Sequence, residues 1–557
     1  MILTPILVFR NIGLVSKKKM KMKNFFLLFL MVLLSSVAFA QPSYAPFSVS
    51  IEPMTIADAP GVHSFTWAKS SDGKWLIIGG RLDGLHRRQP WAAFQAIHNN
   101  TFATVLDPVT QETWSKSLQE LPAPIFEQLQ STNQNFIQVG NKLITTGGYG
   151  YSATAEDHIT YPDITVIDVD EFVAAVVDNQ SVIDYVRQVE DTTMAITGGQ
   201  MGYKDGVYYL AGGQEFIGRY NPMGPNNGPG FYQKYSGQVR KFELDFSGVA
   251  PIITHLDPYT DSVVLPRRDY NMSPQVFENG EYGFTIFSGV FKQPDDTPFF
   301  DIVNVKDDTF EVVPNFTQLL SQYHSAKIPM FDSINNTMHT IFFGGMAQYY
   351  YDDTGNKVND DKVPFVKTIS RVTRLNDGTY EEVKLDIEMP ALVGAGAEFI
   401  PVDNYFSEEI LDFNALPENS KTLVGYIYGG IQSTDLNIFF INGGTQSFAS
   451  NTIFKVYIDN TVVGLKELKS NGLFDLQLTP NPINTGGINV KFYNPTKAKV
   501  SIELMDMTGK KLADLHNATL GAGSFTRHFA VTNLAAGQYL VRISNGLYSQ
   551  AKVLVKR

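Results

Sequence analysis

The sequence predicts an all-β chain: a propeller of six, or at most seven, four-stranded blades followed by a small antiparallel β-sandwich. Three observations carry that expectation. Of the 557 residues, 43% are hydrophobic and 12% aromatic but only 18% charged, and 45 Gly and 28 Pro punctuate them. Such a profile suits many short strands joined by turns, in a chain too long for one core. An apolar strand running into a pair of small residues recurs six times, and after Asn460 the pattern gives way to a compact set of alternating strands.

The first residues read as an export signal. Lys17, Lys18, Lys19, Lys21 and Lys23 precede an apolar run over residues 25–34, and Ala38-Phe39-Ala40 stands before Gln41. A basic start, an apolar stretch and a small-x-small end are the parts of a secretory signal peptide, which places one at residues 1–40. Met20 or Met22 would serve equally well as its first residue. The apolar run is shorter than the roughly 20 residues a membrane span requires. No second run of that length follows, so no span is expected after signal removal.

The six copies cover residues 75–80, 143–148, 208–213, 284–289, 340–345 and 425–430, at intervals wide enough for four strands and their loops. Their small pairs are Gly79-Gly80, Gly147-Gly148, Gly212-Gly213, Ser288-Gly289, Gly344-Gly345 and Gly429-Gly430. Turn residues lie just upstream of several, as in Asp72-Gly73, Gly140-Asn141, Asp205-Gly206 and Asn279-Gly280. Such turns supply the positive φ that a two-residue hairpin requires. A second hairpin follows downstream, clearest over residues 102–114 and weaker over 303–310 and 372–380. The resulting unit has four strands. Gly is expected at the pair because close inner strands leave no room for a Cβ and the chain must then turn sharply. The additional pair Gly443-Gly444 leaves a seventh, degenerate blade open, although six is the preferred count. Residues 47–54 alternate as an outer strand, and residues 452–458 have no strand partner after them. Pairing these two would close the ring and remove an open edge.

The Gly pair, a downstream aromatic and the Trp of the first copy, Trp114, resemble the kelch repeat over residues 44–459. The later copies lack that Trp. The resemblance implies a kelch-type β-propeller, with ligands meeting the loops at one mouth of its central channel. It also brings copper radical oxidases to mind as a class, but their Tyr–Cys cross-link cannot form in a chain with no Cys.

Residues 460–473 read as a linker and residues 474–557 as a separate sandwich. Strands alternate over 488–492, 499–505, 524–531, 534–543 and 551–555. Pro480-Asn481-Pro482, the Asp506-Met507-Thr508-Gly509-Lys510 turn, Gly537-Gln538-Tyr539 and the basic last strand follow in order. Together they closely resemble the C-terminal sorting domain of type IX secretion cargo. That resemblance implies recognition by the type IX machinery, transfer across the outer membrane and cleavage of the tail. The protein would then be secreted, or held at the outer surface of a Gram-negative bacterium through a lipopolysaccharide.

The remaining chemistry is sparse. A formal net charge of −12 argues against nucleic-acid partners, and the absence of Cys excludes disulfides, thiolate metal sites and Cys nucleophiles. No nucleophile elbow, zinc-binding His-Glu-x-x-His or phosphate loop is present, and no cofactor or metal is expected. The turn Ser70-Ser71-Asp72-Gly73-Lys74-Trp75 resembles the Asp-box of sialidases but lacks a residue between Asp and Gly, so it reads as a hairpin. Asp352-Asp353-Thr354-Gly355-Asn356 lacks calcium-loop spacing and reads as a solvated hairpin tip. Candidate ligand-binding residues lie on the loops after the Gly pairs and between blades: His63, Arg81, Tyr149, Glu215, Arg219, Arg268, Tyr270 and His324. Aromatics with Arg, His and carboxylates suit sugars or small acids, through stacking and bidentate hydrogen bonds. Two functions compete. One is a surface module that binds a glycan or a protein. The other is a carbohydrate-active enzyme of the sialic-acid mutarotase type, with Arg268 clamping a carboxylate while His63, His324 or Glu215 moves protons.

Overall fold

Alternate side chains of Trp75-Leu76-Ile77-Ile78 enter two different cores. Leu76 and Ile78 pack with Leu143 and Ile167, whereas Trp75 and Ile77 pack with Ile400, Tyr428 and Ile453. Successive strand residues point to opposite faces, so this strand is covered on both sides by other sheets. The computed structural model describes residue 45, residues 47–460 and, in the C-terminal part, 474, 476–484, 486–494, 497–507, 510–521, 523–532, 534–545 and 549–557. The expected signal peptide and nearly all of the expected linker lie outside the described residues.

The chain divides into two compact units. The larger contains six sheets of four or more strands built in succession, antiparallel except for one short parallel pairing in the fifth, and two further two-stranded hairpins. The first is Thr66–Lys69, Trp75–Ile78, Phe102–Leu106 and Thr113–Ser117, in chain order. The second orders Thr132–Val139, Lys142–Ser152, Asp163–Asp168 and Val186–Glu190, and the third Gln200–Lys204, Val207–Ala211, Gln238–Asp245 and Ile252–Thr260. The fourth runs Asn271–Val276, Tyr282–Phe287, Ile302–Val305 and Phe310–Val312. The fifth runs Ala326–Asp332, Thr337–Phe343, Thr368–Arg374 and Tyr380–Glu388, with a short hairpin of Phe406–Ser407 and Ile410–Asp412 added beside its first strand. The sixth breaks chain order. Leu392–Pro401, Lys421–Ser433 and Ile453–Asp459 are joined at the edge by Ser48–Met54, from the other end of the unit. Gly443 and Gly444 lie in the loop before Ser447–Ala449, outside any strand.

Each sheet shares a core with its neighbour. Ile144 and Val166 meet Tyr208 and Leu210 between the second and third sheets. Tyr209 and Val239 meet Phe284 and Val303 between the third and fourth. Phe287 meets Phe342 and Val372 between the fourth and fifth. The fifth and sixth touch along Ala326–Asp332 and Leu392–Pro401, and the sixth packs on the first through Tyr426, Tyr428 and Trp75.

The small pairs all adopt positive φ at both positions, Ser288 included at 59°. At Gly147 a Cβ would lie 1.7 Å from the Ile196 carbonyl oxygen, so both the dihedral and the space demand Gly there. Asp352 accepts from the Thr354 and Asn356 amides, a turn held by its own side chain at the tip of the Tyr349–Tyr351 and Lys357–Asn359 hairpin.

The C-terminal unit has two antiparallel sheets. One contains Gln477–Thr479, Gly487–Asn494 and Gly523–Ala530; the other orders Lys511–Leu520, Ala498–Met505, Gly537–Ser544 and Ser549–Lys556. Ile488, Val490 and Phe492 from the first meet Val500, Ile502, Leu504, Val541 and Ile543 from the second in a single core. Asn481, between its two prolines, donates from its amide to Val553 O at 2.7 Å and accepts from the Val555 amide at 2.9 Å. That pairing pins the opening motif to the last strand. The strand Lys511–Leu520 is absent from the sequence-based expectation, because it is mostly solvent-exposed and shows no apolar alternation.

Candidate functional site

The residue directly after each small pair repeats one backbone arrangement. It bridges to the residue that leads into, or opens, its own sheet's first strand: His63 with Arg81, Thr132 with Tyr149, Thr197 with Gln214, Arg268 with Val290, and Ala395 with Ile431. In the fifth sheet the Tyr323 amide donates to Met346 O at 2.8 Å. Eleven of these twelve residues, all except Val290, line one cavity of about 520 Å³, and Phe291 stands in the wall beside Val290. All six sheets therefore contribute to a single concavity. Its volume is in the range of small-molecule sites.

Five of the eight sequence-derived candidates line it: His63, Arg81, Tyr149, Arg268 and His324. Their circumstances differ. Arg81 is 2% exposed and fully engaged: Nε and Nη2 donate to both Asp83 carboxylate oxygens at 2.8 Å, and Nη1 donates to Asn99 Oδ1. Burial pushes the Asp83 carboxyl up, but the Arg81 fork more than offsets that and holds it below its usual range. The Tyr149 hydroxyl donates to Gly218 O at 2.7 Å, and its ring meets Phe94 and Phe216 edge-on. Burial raises its pKa.

His63 is 6% exposed, with Nδ1 3.1 Å from Ser64 Oγ and Nε2 without a partner. Burial lowers its pKa to about 4, so the ring is neutral at pH 7. His86, a loop residue beside Phe94, Tyr220 and Phe439, is likewise held at about 4 by burial. His324 Nε2 lies 2.7 Å from Glu398 Oε1. Both line a second, smaller cavity of about 160 Å³ among the first strands of the sheets, together with Lys327 and Glu409, although Glu398 does not reach the larger one. Burial lowers the Lys327 pKa and raises that of Glu409.

Arg268 contrasts with its neighbour. Arg267 is fully buried and donates to Val264 O, Ser288 O and Asp301, with its guanidinium 4.0 Å from the centre of the Phe299 ring. Arg268 makes no side-chain hydrogen bond: its Nε is 3.6 Å from Asp269 Oδ2, and its guanidinium lies 4.9 Å from the Phe291 ring centre and 5.9 Å from that of Tyr235.

Glu215, Arg219 and Tyr270 stand outside the cavity. In the strand Gln214–Ile217, Gln214 and Phe216 face the cavity, and period-two alternation turns Glu215 away. Arg219 is exposed beyond the cavity wall. Tyr270 is 1% exposed between the third and fourth sheets, where its hydroxyl donates to Ala211 O and accepts from the Gln200 amide. Thr197, Met346, Phe94 and Phe439 were not singled out from sequence, although the position after each small pair marks Met346.

Among the described residues no cluster of His, Asp or Glu is arranged to hold a metal ion, and no helix is long and apolar enough to cross a membrane. No curated protein sequence matches the chain. Two solved structures resemble it weakly. One is "Novel fungal alcohol oxidase with catalytic diversity among the AA5 family, in complex with copper", with 10% identity and a TM-score of 0.36, covering 92% of this chain and 100% of that one. The other is "Structure of YjhT", with 12% identity and a TM-score of 0.39, covering 72% and 97%. Likeness at that level carries no weight for function. Residues 477–557 match the secretion system C-terminal sorting domain. The chain is therefore a type IX secretion cargo, recognised by that machinery through its tail and secreted or displayed at the surface of a Gram-negative bacterium.

Proposed function

We propose that the six sheets form a closed, six-bladed kelch-like propeller and that its mouth binds a small glycan on an exported protein. One observation carries this reading: residues at equivalent positions in all six sheets line one cavity, with aromatic walls and sheltered polar groups. A concavity of that kind suits a sugar-sized ligand better than a flat protein partner. Phe94, Phe216 and Tyr220 offer apolar faces to C–H groups, and the His63 and His86 rings, neutral at pH 7, can each donate or accept with a hydroxyl.

The His324–Glu398 pair supports a second reading, acid–base chemistry on the bound sugar. A carboxylate beside one imidazole nitrogen orients the ring, as a positioned general base requires. A glycan-array screen of the full chain, followed by incubation of each hit and analysis for altered sugar, separates the two. Binding without turnover supports the module; turnover lost in His324→Ala supports the enzyme. Absence of any glycan hit would reject both.

A further inference from the structure

We propose that Lys327, in the smaller cavity, is a nucleophilic amine that takes up small aldehydes or ketones as an imine, with Glu409 as the proton donor. This site is separate from the mouth and does not depend on what binds there.

The sheltered lysines of the larger unit are satisfied in a way that Lys327 is not. Lys69 donates to Pro401 O at 2.8 Å and pairs with Asp403, and Lys204 donates to Tyr282 O at 2.8 Å and pairs with Asp307. Lys306 pairs with Glu311 at 2.6 Å. Lys327, half-buried on the strand Ala326–Asp332, makes neither a hydrogen bond nor an ion pair with any described residue. Among the described residues it is the single Lys or Arg lining a cavity whose walls include Trp67, Phe136, Met201, Phe284 and Phe399. An ammonium held among such side chains without an acceptor is costly, and losing its proton removes the cost. Burial accordingly lowers the Lys327 pKa. The neutral amine carries a free lone pair, the form that attacks a carbonyl carbon.

Glu398 and Glu409 line the same cavity and are the carboxylates whose charge Lys327 feels. Glu398 is occupied by His324. The Glu409 side chain has no hydrogen bond or ion pair with a described residue and reaches solvent as well as the cavity, and desolvation raises its pKa. A protonated carboxyl so placed can deliver a proton and take one back. In the step proposed, Nζ forms a bond to the carbonyl carbon, and the carbonyl oxygen leaves with the two Nζ protons as water. Glu409 hands a proton to that oxygen and recovers one from nitrogen, once in forming the carbinolamine and once in losing water. At about 160 Å³ the cavity suits a carbonyl compound of a few carbons.

The test incubates the full chain at pH 7 with glycolaldehyde and cyanoborohydride, which reduces the imine to a stable secondary amine, and follows each lysine by peptide mass spectrometry. An ordinary lysine is neutral in roughly one part in a few thousand at that pH. Lys327 is therefore expected to be tagged at least tenfold faster than the exposed Lys234, Lys292 and Lys362. Lys327→Arg should lose the tag on that peptide and leave the others unchanged. Glu409→Gln separates two roles for the acid. A proton donor predicts slower tagging of Lys327, whereas a counter-charge predicts faster tagging, because removing a carboxylate favours the neutral amine. Circular dichroism confirms that both variants are folded. Tagging of Lys327 at the rate of the exposed lysines would overturn the proposal. Unchanged or faster tagging in Glu409→Gln would overturn the part given to the acid and leave the amine standing.

Discussion

His324 Nε2 and Glu398 Oε1 are 2.7 Å apart; His324 lines both the large cavity and the smaller one, and Glu398 lines the smaller one. Removing either partner leaves the other poorly satisfied in a sheltered place. His324→Ala should weaken any mouth ligand by about 1.5–3 kcal/mol, the value of a charge-assisted hydrogen bond, or roughly ten- to a hundredfold. Glu398→Gln should cost less, because the amide oxygen can still accept from the ring. Titration calorimetry on both variants checks the order.

Ser288 occupies a position where the other five copies have Gly, at a φ of 59° and with its hydroxyl buried and without a partner. The left-handed conformation costs a side-chain-bearing residue about 1–2 kcal/mol. Ser288→Gly should therefore raise stability by about 1 kcal/mol, after allowing for the greater freedom of Gly in the unfolded chain. The Ser288 carbonyl, which accepts from Arg267, is unchanged by this substitution. Gly147→Ala should do the opposite and cost more than about 3 kcal/mol, since its Cβ has no room. Urea midpoints at constant slope measure both.

Three sheltered histidines make the protein sensitive to acid. Burial lowers His63 and His86 to about 4 and His339 to about 3. Between pH 6.5 and those values the unfolded chain binds protons that the folded chain refuses. Stability present above pH 6.5 is therefore lost as pH falls toward 4, by up to about 3 kcal/mol for a histidine shifted by two to three units. Melting temperature should drop between pH 7 and pH 4.5, and His86→Phe should blunt the drop. A flat profile would contradict the burial argument.

Export should leave its mark on the mass. The delivered protein is expected to begin near Gln41 and to lack most of residues 474–557. Intact mass spectrometry of protein recovered from the medium or cell surface reads both ends at once. A product still ending at Arg557 would sink the cleavage expectation.

Much of the larger unit was legible because its decisive residues are local. Four of the small pairs end a strand and two lie within one, and the next residue, such as Arg81 or Tyr149, enters the cavity wall through a backbone bridge beside the pair. Other features depend on residues distant in sequence. Arg267 and Arg268 are identical and adjacent, yet the first donates to Val264 O, Ser288 O and Asp301 while the second makes an ion pair with Asp269 and no side-chain hydrogen bond. Glu398 gave no signal of its own, since it meets His324 from another sheet's strand. Tyr270, two residues past Arg268, would share its side under strict alternation, but Asp269 between them has a φ of 51° and the ring turns into the core instead. The helix Val169–Val177 was also missed. Its valines read as strand, but Phe172, Val173 and Val176 pack on the first two sheets, and that burial overrides local preference.

The pairing of Ser48–Met54 with Ile453–Asp459 in the sixth sheet has a consequence for timing. The strand made earliest cannot find its partner until almost the whole unit has been synthesised, and contacts between such distant segments form slowly. The first of these two strands therefore stays an unpaired edge until residues 453–459 have been made, and the sixth sheet is completed last.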